Sequence, residues 1–346
     1  EGVWVNSTSK FAIIYTITMS STVIIIGVIV NILSVVGVVI TNKYITEVDG
    51  FQFMVFLSFL HFSFTTIGTR ALLKGEIFAF KDAPLSGILP VAVGSLLSVA
   101  FMNLNLAHNS VGFYQLSKLA CIPFTLLVQY VAYKQSVSRM IQFTLIPITF
   151  GVGYATVYDL SLNAVGLIFA VCAVVATALA QIFTNTYQKS LDCNAMQLLY
   201  HTSPYISVGM LIMCPFFDDV SKLITFEFST GCVLRIMVSC VFALGVNISN
   251  YLVIGMTSPL TYQVLGHLKT VLILILGFTV FNKPVDVRNI LGIAIAMIGV
   301  IAYTEIRRSE TAAPSLPITT PSQSRASDEA EIPLMTNHTQ ASGMRV

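Results

Sequence analysis

Thr257-Ser-Pro-Leu-Thr-Tyr-Gln-Val-Leu-Gly-His-Leu-Lys269-Thr270 sets a lysine in the middle of a long apolar stretch. Earlier in the chain, Asn109-Ser-Val-Gly-Phe-Tyr-Gln-Leu-Ser-Lys118-Leu repeats the pattern. Ser110, Tyr114 and Gln115 recur 148 residues later as Ser258, Tyr262 and Gln263. Downstream, Lys134 and Arg139 are echoed by Lys283 and Arg288, each pair five apart and followed by another apolar run. A weaker echo joins Thr41-Asn42-Lys43-Tyr44 to Thr184-Asn185-Thr186-Tyr187. The chain therefore reads as an internal repeat with a deep lysine in each copy, Lys269 lying nearer the middle of its apolar run than Lys118 does.

The composition says what surrounds those lysines. Of 346 residues 55% are hydrophobic and only 10% are charged, with a mean hydropathy of +0.82. Soluble domains carry about 25% charged residues. One globular core cannot hide this much apolar surface, so lipid is the expected solvent. Net charge is +2, which gives no basic face for nucleic acid.

A spanning helix needs about 20 mainly apolar residues. Such runs lie near 20–41, 52–69, 86–106, 110–132, 141–158, 163–186, 196–217, 231–256, 258–281 and 287–304. The expected fold is thus an all-α polytopic membrane protein of ten transmembrane helices. Residues 1–19 form a short lead-in, 20–158 a first five-helix repeat, 159–305 a second, and 306–346 a disordered cytosolic tail rich in Ser, Thr, Pro and Glu. Phe11 to Thr41 carries no charge, roughly twice the length of a signal peptide's apolar region, and reads as a retained first span. Five spans per repeat is odd, so the two copies must cross in opposite directions. Inverted repeats are a common architecture of secondary transporters, with the site at their interface near the midplane.

Orientation follows from Lys and Arg near span ends. Lys10, Arg70, Lys74, Lys81, Lys134, Arg139, Lys189, Arg307 and Arg308 fall on the side of the N-terminus. Lys43, Lys222, Arg235, Lys283 and Arg288 fall opposite. Both termini are expected in the cytosol, which leaves the sequons at Asn6 and Asn337 unglycosylated.

No Asp or Glu lies deep in any span, whereas Lys118 and Lys269 do. A lysine at bilayer depth costs at least ~2.5–3.5 kcal/mol on insertion scales and normally faces a polar cavity with a partner. No carboxylate is at hand in the spans, so the anion is expected to be the substrate. Two converging cations suit a phosphate or diphosphate. The alternative, with the ammonium snorkelling to the headgroups along its stem, fits Lys118 better than Lys269. Tyr114 lies one turn before Lys118 and Tyr262 two turns before Lys269, each on its lysine's face. Gln115, Gln263, Asn103, Asn105, Asn247 and the pair Tyr200-His201 are further polar candidates for a nucleotide or sugar, or for hydrogen bonds between helices.

Other chemistries find little support. The six cysteines show no CxxC pairing and mostly sit in apolar runs. His61, His108, His201 and His267 lack the carboxylate partners of a metal cluster. No GxxxxGK[ST] loop is present for nucleotide-driven pumping, and no cofactor is expected. A membrane-embedded transferase would want an acid or base that the deep spans do not offer. A receptor or scaffold offers no reason for two deep lysines. Gly292 and Ala296 form a small-residue face that serves helix packing or a homodimer contact, with packing the simpler use.

At these residues the chain resembles the nucleotide-sugar/triose-phosphate translocator family of the drug/metabolite transporter superfamily, over roughly residues 20 to 305. The Lys269-Thr270 ending resembles the branch of plant UDP-xylose and UDP-rhamnose/UDP-galactose transporters. Ala180-Gln-Ile-Phe-Thr-Asn-Thr186, Leu198-Leu-Tyr200, Pro204-Tyr205 and Arg288-Asn-Ile-Leu-Gly292 are most similar to UDP-xylose transporters. The resemblance implies a ten-helix Golgi or ER antiporter that exchanges a UDP-sugar for UMP. It makes Lys118 and Lys269 the phosphate-contacting lysines and Tyr262 part of their pocket. The plastid phosphate translocators of the family have a second basic residue where this chain has Thr270, which counts against triose phosphate. The tail's ending, Met344-Arg345-Val346, has no dilysine retrieval signal and favours Golgi over ER.

Overall fold

The computed structural model of the chain describes residues 7–109, 111–156, 164–280 and 287–312. They form eleven α-helices: α1 (Ser7–Glu47), α2 (Met54–Lys74), α3 (Leu85–His108), α4 (Val111–Tyr133), α5 (Arg139–Thr156), α6 (Ala164–Ser190), α7 (Ala195–Phe217), α8 (Val220–Ile224), α9 (Thr230–Met256), α10 (Pro259–Val280) and α11 (Val287–Ala312). No strand occurs among the described residues. Ten of the helices have 18 residues or more, and each covers all or most of one of the ten apolar runs. The eleventh, α8, is a five-residue turn in the polar connection after α7, started by Asp219 accepting from the Lys222 amide. Five of the long helices are both long and apolar enough to cross a membrane among the described residues: Thr22–Glu47, Leu85–His108, Ala164–Ser190, Thr230–Met256 and Ile290–Glu310.

Two ends differ from expectation. The first helix is already under way at Ser7 rather than near residue 20, so the lead-in is helical from there. The last helix runs on to Ala312, past residue 306. The chain divides at that point into a body ending at Ile306 and a second unit from Arg307. The described part of the second unit holds one ion pair, Arg307 to Glu310 at 3.8 Å. The connections at 157–163 and 281–286, with Lys283, and the tail from 313 lie outside the described residues.

Helix starts are written locally. Asn194 and Gln197 form a reciprocal capping box at α7, Ser229 caps α9, and Ser258 accepts from the Thr261 amide with Pro259 as the first helical residue of α10. Asp49-Gly50 turns the chain between α1 and α2 with Gly50 at φ +69°, a conformation that suits glycine.

Apolar side chains form the core and also cover much of the outer surface, while a set of hydroxyls and amides is buried among the helices. Ile25, Leu33, Ile67, Phe143, Ile146 and Ile298 are all exposed, while Thr65, Thr69, Thr202, Ser203 and Ser239 are fully buried. A surface so apolar does not suit water. Hydroxyls bonding across helices, such as Ser63 to Ser207 at 2.7 Å and Ser98 to Thr177 at 2.8 Å, are the usual cement of helices packed in lipid.

Packing follows a repeated scheme. α3 lies on α6, α1 on α9 and α2 on α7; α3 also meets α7, α2 meets α9, α4 meets α6 and α10, and α1 meets α10. Exchanging the first five long helices for the last five, in order, maps α3–α6 onto α9–α1, α3–α7 onto α9–α2 and α4–α6 onto α10–α1. The pairs α2–α7 and α4–α10 map onto themselves. The small-residue face of α11 is filled from within the chain: a Cβ on Gly151 of α5 would collide with the Ala296 amide and stand 2.6 Å from the Gly292 carbonyl.

Charged groups collect at the two ends. At one end Lys81 pairs with Asp192 at 2.9 Å, and the Gln197 amide and His201 hold the α2–α3 connection by its Ala79 and Lys81 carbonyls. At the other, Asp49 pairs with Arg235, and Asp218 accepts from the Val55 and Phe56 amides at the start of α2. The bond from Arg235 holds the Asp49 carboxyl below the usual carboxylate range; burial pushes the Asp218 carboxyl up.

Candidate functional site

The N-terminal half of α10 carries the site. Its cap at Ser258 and the 3.6-residue period send Tyr262, Gln263, Gly266, Lys269 and Thr270 toward α1, α3, α4 and α6, where a cavity of about 430 Å³ lies. That is within the range of small-molecule sites. α4 contributes Lys118 and Cys121, α3 contributes Asn103 and Met102, and α6 contributes Thr177 and Gln181. The two deep lysines thus reach one hollow from the two helices that share the sequence repeat.

Neither lysine finds an acid among the described residues. Among the described residues the ion pairs involve Lys43, Lys81, Lys222, Arg235 and Arg307. The Lys118 ammonium sits 4.3 Å from the centroid of the Tyr114 ring. The Lys269 ammonium sits 4.7 Å from that of Tyr262. Ring faces attract a cation by about 0.5–2 kcal/mol, more as water is removed, and leave its N–H groups free for an anion. Lys269 is buried and donates to Asn31 Oδ1 at 2.7 Å. Its position is therefore internal rather than at a headgroup layer.

Behind Lys269 runs a chain of neutral groups. Asn31 Nδ2 donates to Ser249 Oγ at 2.8 Å and to Asn250 Oδ1 at 2.7 Å, and the Tyr262 hydroxyl donates to the same Asn250 oxygen at 2.7 Å. Beside Tyr262 on α10, Gln263 Nε2 donates to Thr125 Oγ1 at 2.6 Å and Gln181 Oε1 at 3.0 Å. Gln263 Oε1 and His267 Nε2 are left buried without a partner. Unpartnered buried polar atoms are rare in folded proteins, and these two line the cavity one turn apart. A smaller hollow of about 140 Å³ shares Ser98, Val99, Thr177, Gln181 and Tyr262 with the first and adds Asn247, Asn250 and Tyr251. The combined space has a charged compartment and an uncharged, hydroxyl- and amide-rich one.

Lys118, Lys269, Tyr262, Gln263, Asn103 and Thr270 therefore meet in the main cavity, Tyr114 lies beneath Lys118, and Asn247 lines the smaller hollow while donating to Thr65 at 2.9 Å. The Gln115 side chain lies outside the described residues. Tyr200 and His201 line neither hollow. They pack edge-on against Phe80, with ring centroids 5.9 and 5.6 Å away, and His201 holds the Lys81 carbonyl at 2.8 Å. Their place near the start of α7 turns them to the connection between α2 and α3. Sequence inspection missed Gln181, which lines the cavity, and Asn31, which accepts from Lys269 behind it. Asn31 is the lone amide of the uncharged run Phe11 to Thr41, a signal that could have found it, whereas Gln181 shares its run with Asn185 and Gln188. Among the described residues no cluster of three or more His, Cys, Asp or Glu could hold a metal ion.

Comparison with known proteins agrees with this architecture. The model of the Triose-phosphate Transporter family matches residues 11–304. UDP-xylose transporter 3 of Arabidopsis thaliana is 40% identical over 81% of this chain and 80% of its own length. UDP-rhamnose/UDP-galactose transporter 1 of the same plant is 36% identical over 79% and 80%. A solved crystal structure covering 83% of this chain and 99% of its own superposes with a TM-score of 0.66 at 12% identity, a likeness of fold. With its outward apolar helices and its match across nearly the whole helical body, the chain is a multi-pass membrane protein that belongs to the triose-phosphate transporter family.

Proposed function

We propose that the chain is a nucleotide-sugar antiporter that carries a UDP-sugar, UDP-xylose first among them, into the Golgi lumen in exchange for UMP. The observation that carries this reading is the pair of ammonium groups, Lys118 and Lys269, lining one cavity with no acid bonded to either among the described residues. The names of the relatives, transporters of UDP-xylose and of UDP-rhamnose/UDP-galactose, suggest the substrate class. The uncharged hollow beside the lysines supports a ligand with a polyanionic part and a neutral, hydroxyl-bearing part. Lys118 and Lys269 take the phosphates; Tyr114, Gln115, Tyr262, Gln263, Asn103, Asn247 and Thr270 take the nucleoside and sugar.

Exchange follows from electrostatics. Closing around an empty site leaves two cations in a low-dielectric interior without a counter-ion, which is strongly disfavoured. A phosphate from either side removes that opposition. The carrier turns over with UDP-sugar one way and UMP the other, by rocking of two five-helix halves around the site. The interchange symmetry of the helix pairings supports such halves. The location of Lys81, Lys189 and Asp192 at one end and of Asp49, Asp218 and Arg235 at the other supports short connections alternating between two sides, with both termini in the cytosol.

A phosphorylated metabolite is the competing cargo, in keeping with the family's name. Thr270 lines the cavity as a neutral residue, and two lysines with a neutral third group favour the larger nucleotide ligand. Purified protein in vesicles preloaded with UMP should take up UDP-xylose faster than empty vesicles do. Uptake should be inhibited by external UMP rather than inorganic phosphate. Equal uptake into empty vesicles refutes exchange, and stronger inhibition by phosphate or triose phosphate refutes the nucleotide assignment.

A further inference from the structure

The amide of Asn31 is the one direct hydrogen-bond acceptor recorded for the Lys269 ammonium among the described residues, at 2.7 Å. It comes from α1, in the first half of the chain, to a lysine on α10, in the second. Both residues are buried, as is Ser249 behind them. Asn31 has no freedom to choose another role: its two Nδ2 hydrogens go to Ser249 and Asn250, so its oxygen must point at Lys269. Asn250 is in turn fixed by the Tyr262 hydroxyl. A neutral oxygen thus occupies one ammonium donor position and leaves the charge itself uncompensated.

We propose that Asn31 is a positioning residue that stands in for the substrate's phosphate oxygen on Lys269 in the empty carrier, and that its neutrality makes reorientation depend on bound anion. The inference rests on the exchange reading above. A neutral acceptor is strong enough to orient an ammonium and too weak to replace a phosphate, because hydrogen bonding to a dipole recovers only part of a buried charge's lost solvation. A carboxylate at the same point would be a resident counter-ion. It would hold Lys269 against incoming phosphate, and it would also let the empty carrier close and turn over.

Two near-isosteric changes separate this from a structural role. Asn31→Asp keeps the shape and adds the charge; the Ser249 hydroxyl can reverse to donate to it, and the Asn250 amide can flip to present its NH2, the Tyr262 hydroxyl then accepting from it. Asn31→Leu removes the acceptor and adds no charge. Full-length protein in vesicles gives two readouts, the apparent affinity for UMP and the ratio of UDP-sugar uptake into UMP-loaded against empty vesicles. The expected results are an affinity for N31D about ten- to a hundredfold below that of N31L, and an uptake ratio that falls toward one in N31D while N31L keeps the parent ratio. N31D binding UMP as tightly as N31L overturns the inference, as does an equal drop in ratio for both variants. If the parent protein shows no stimulation by internal UMP, the exchange reading fails instead, and the affinity comparison still decides the role of Asn31.

Discussion

Lys269→Gln separates a substrate-binding lysine from a structural one by the sign of its effects. With substrate bound, Lys269 faces a phosphate in a buried site. Removing one partner of a buried charge pair costs about 3–5 kcal/mol, in line with the ~4 kcal/mol between unit charges 4 Å apart at an effective dielectric of 20. That corresponds to a loss of UMP affinity of roughly two hundred- to several thousandfold. Without substrate the balance runs the other way. The parent buries an ammonium whose recorded partner is the neutral Asn31 oxygen, and removing it recovers several kcal/mol of desolvation. Against this stands at most about 1–3 kcal/mol for leaving Asn31 Oδ1 short of a donor. The ligand-free variant should therefore unfold at or above the parent's temperature. At a hundred times its Kd, UMP stabilises the parent by about 2.7 kcal/mol, and at that concentration most of this should vanish in K269Q. Thermal unfolding in detergent with and without UMP, alongside vesicle uptake, reads both quantities. The reasoning is refuted if K269Q keeps its UMP-induced shift and its uptake, or if it unfolds several degrees lower with the shift intact.

Two further outcomes test the frame around the site. Gly151→Val should destabilise the protein by about 1–3 kcal/mol through overpacking, because the new side chain meets the backbone of Gly292 and Ala296 rather than a movable side chain; a melting temperature equal to the parent's would show that α5 and α11 do not meet there. Arg235→Gln tests the Asp49 pair through pH. Asp49 is held below the ordinary carboxyl value of 3.8 by the Arg235 bond, so the stability it contributes is present above that value and is lost as pH falls through the lower folded value. R235Q lets the folded pKa rise, so its melting temperature should lie below the parent's at neutral pH and converge with it in acid. A gap that persists unchanged at acid pH refutes the assignment.

Much of this protein is legible in its residue order because lipid imposes a simple rule. A helix satisfies its own backbone, so an apolar run of some 20 residues in a membrane has little choice of structure. The ten apolar runs reappear as α1 to α7 and α9 to α11, and the deep lysines stand out because an isolated charge in such a run has no structural excuse. What order alone could not supply is where each polar residue ends up once helices from distant parts of the chain pack together. Tyr200 and His201 looked as suited to a ligand as Tyr262, and only the packing of α7 against the α2–α3 connection turns them away from the hollow. Asn31 lies 238 residues from Lys269, and its one local mark, being the lone amide of an uncharged run, does not say which residue it meets. Its oxygen is aimed at Lys269 because Ser249 and Asn250 take its two hydrogens. Hydrophobic periodicity is a property of neighbours along the chain, whereas the partner of a buried amide is decided by whichever helix arrives opposite it.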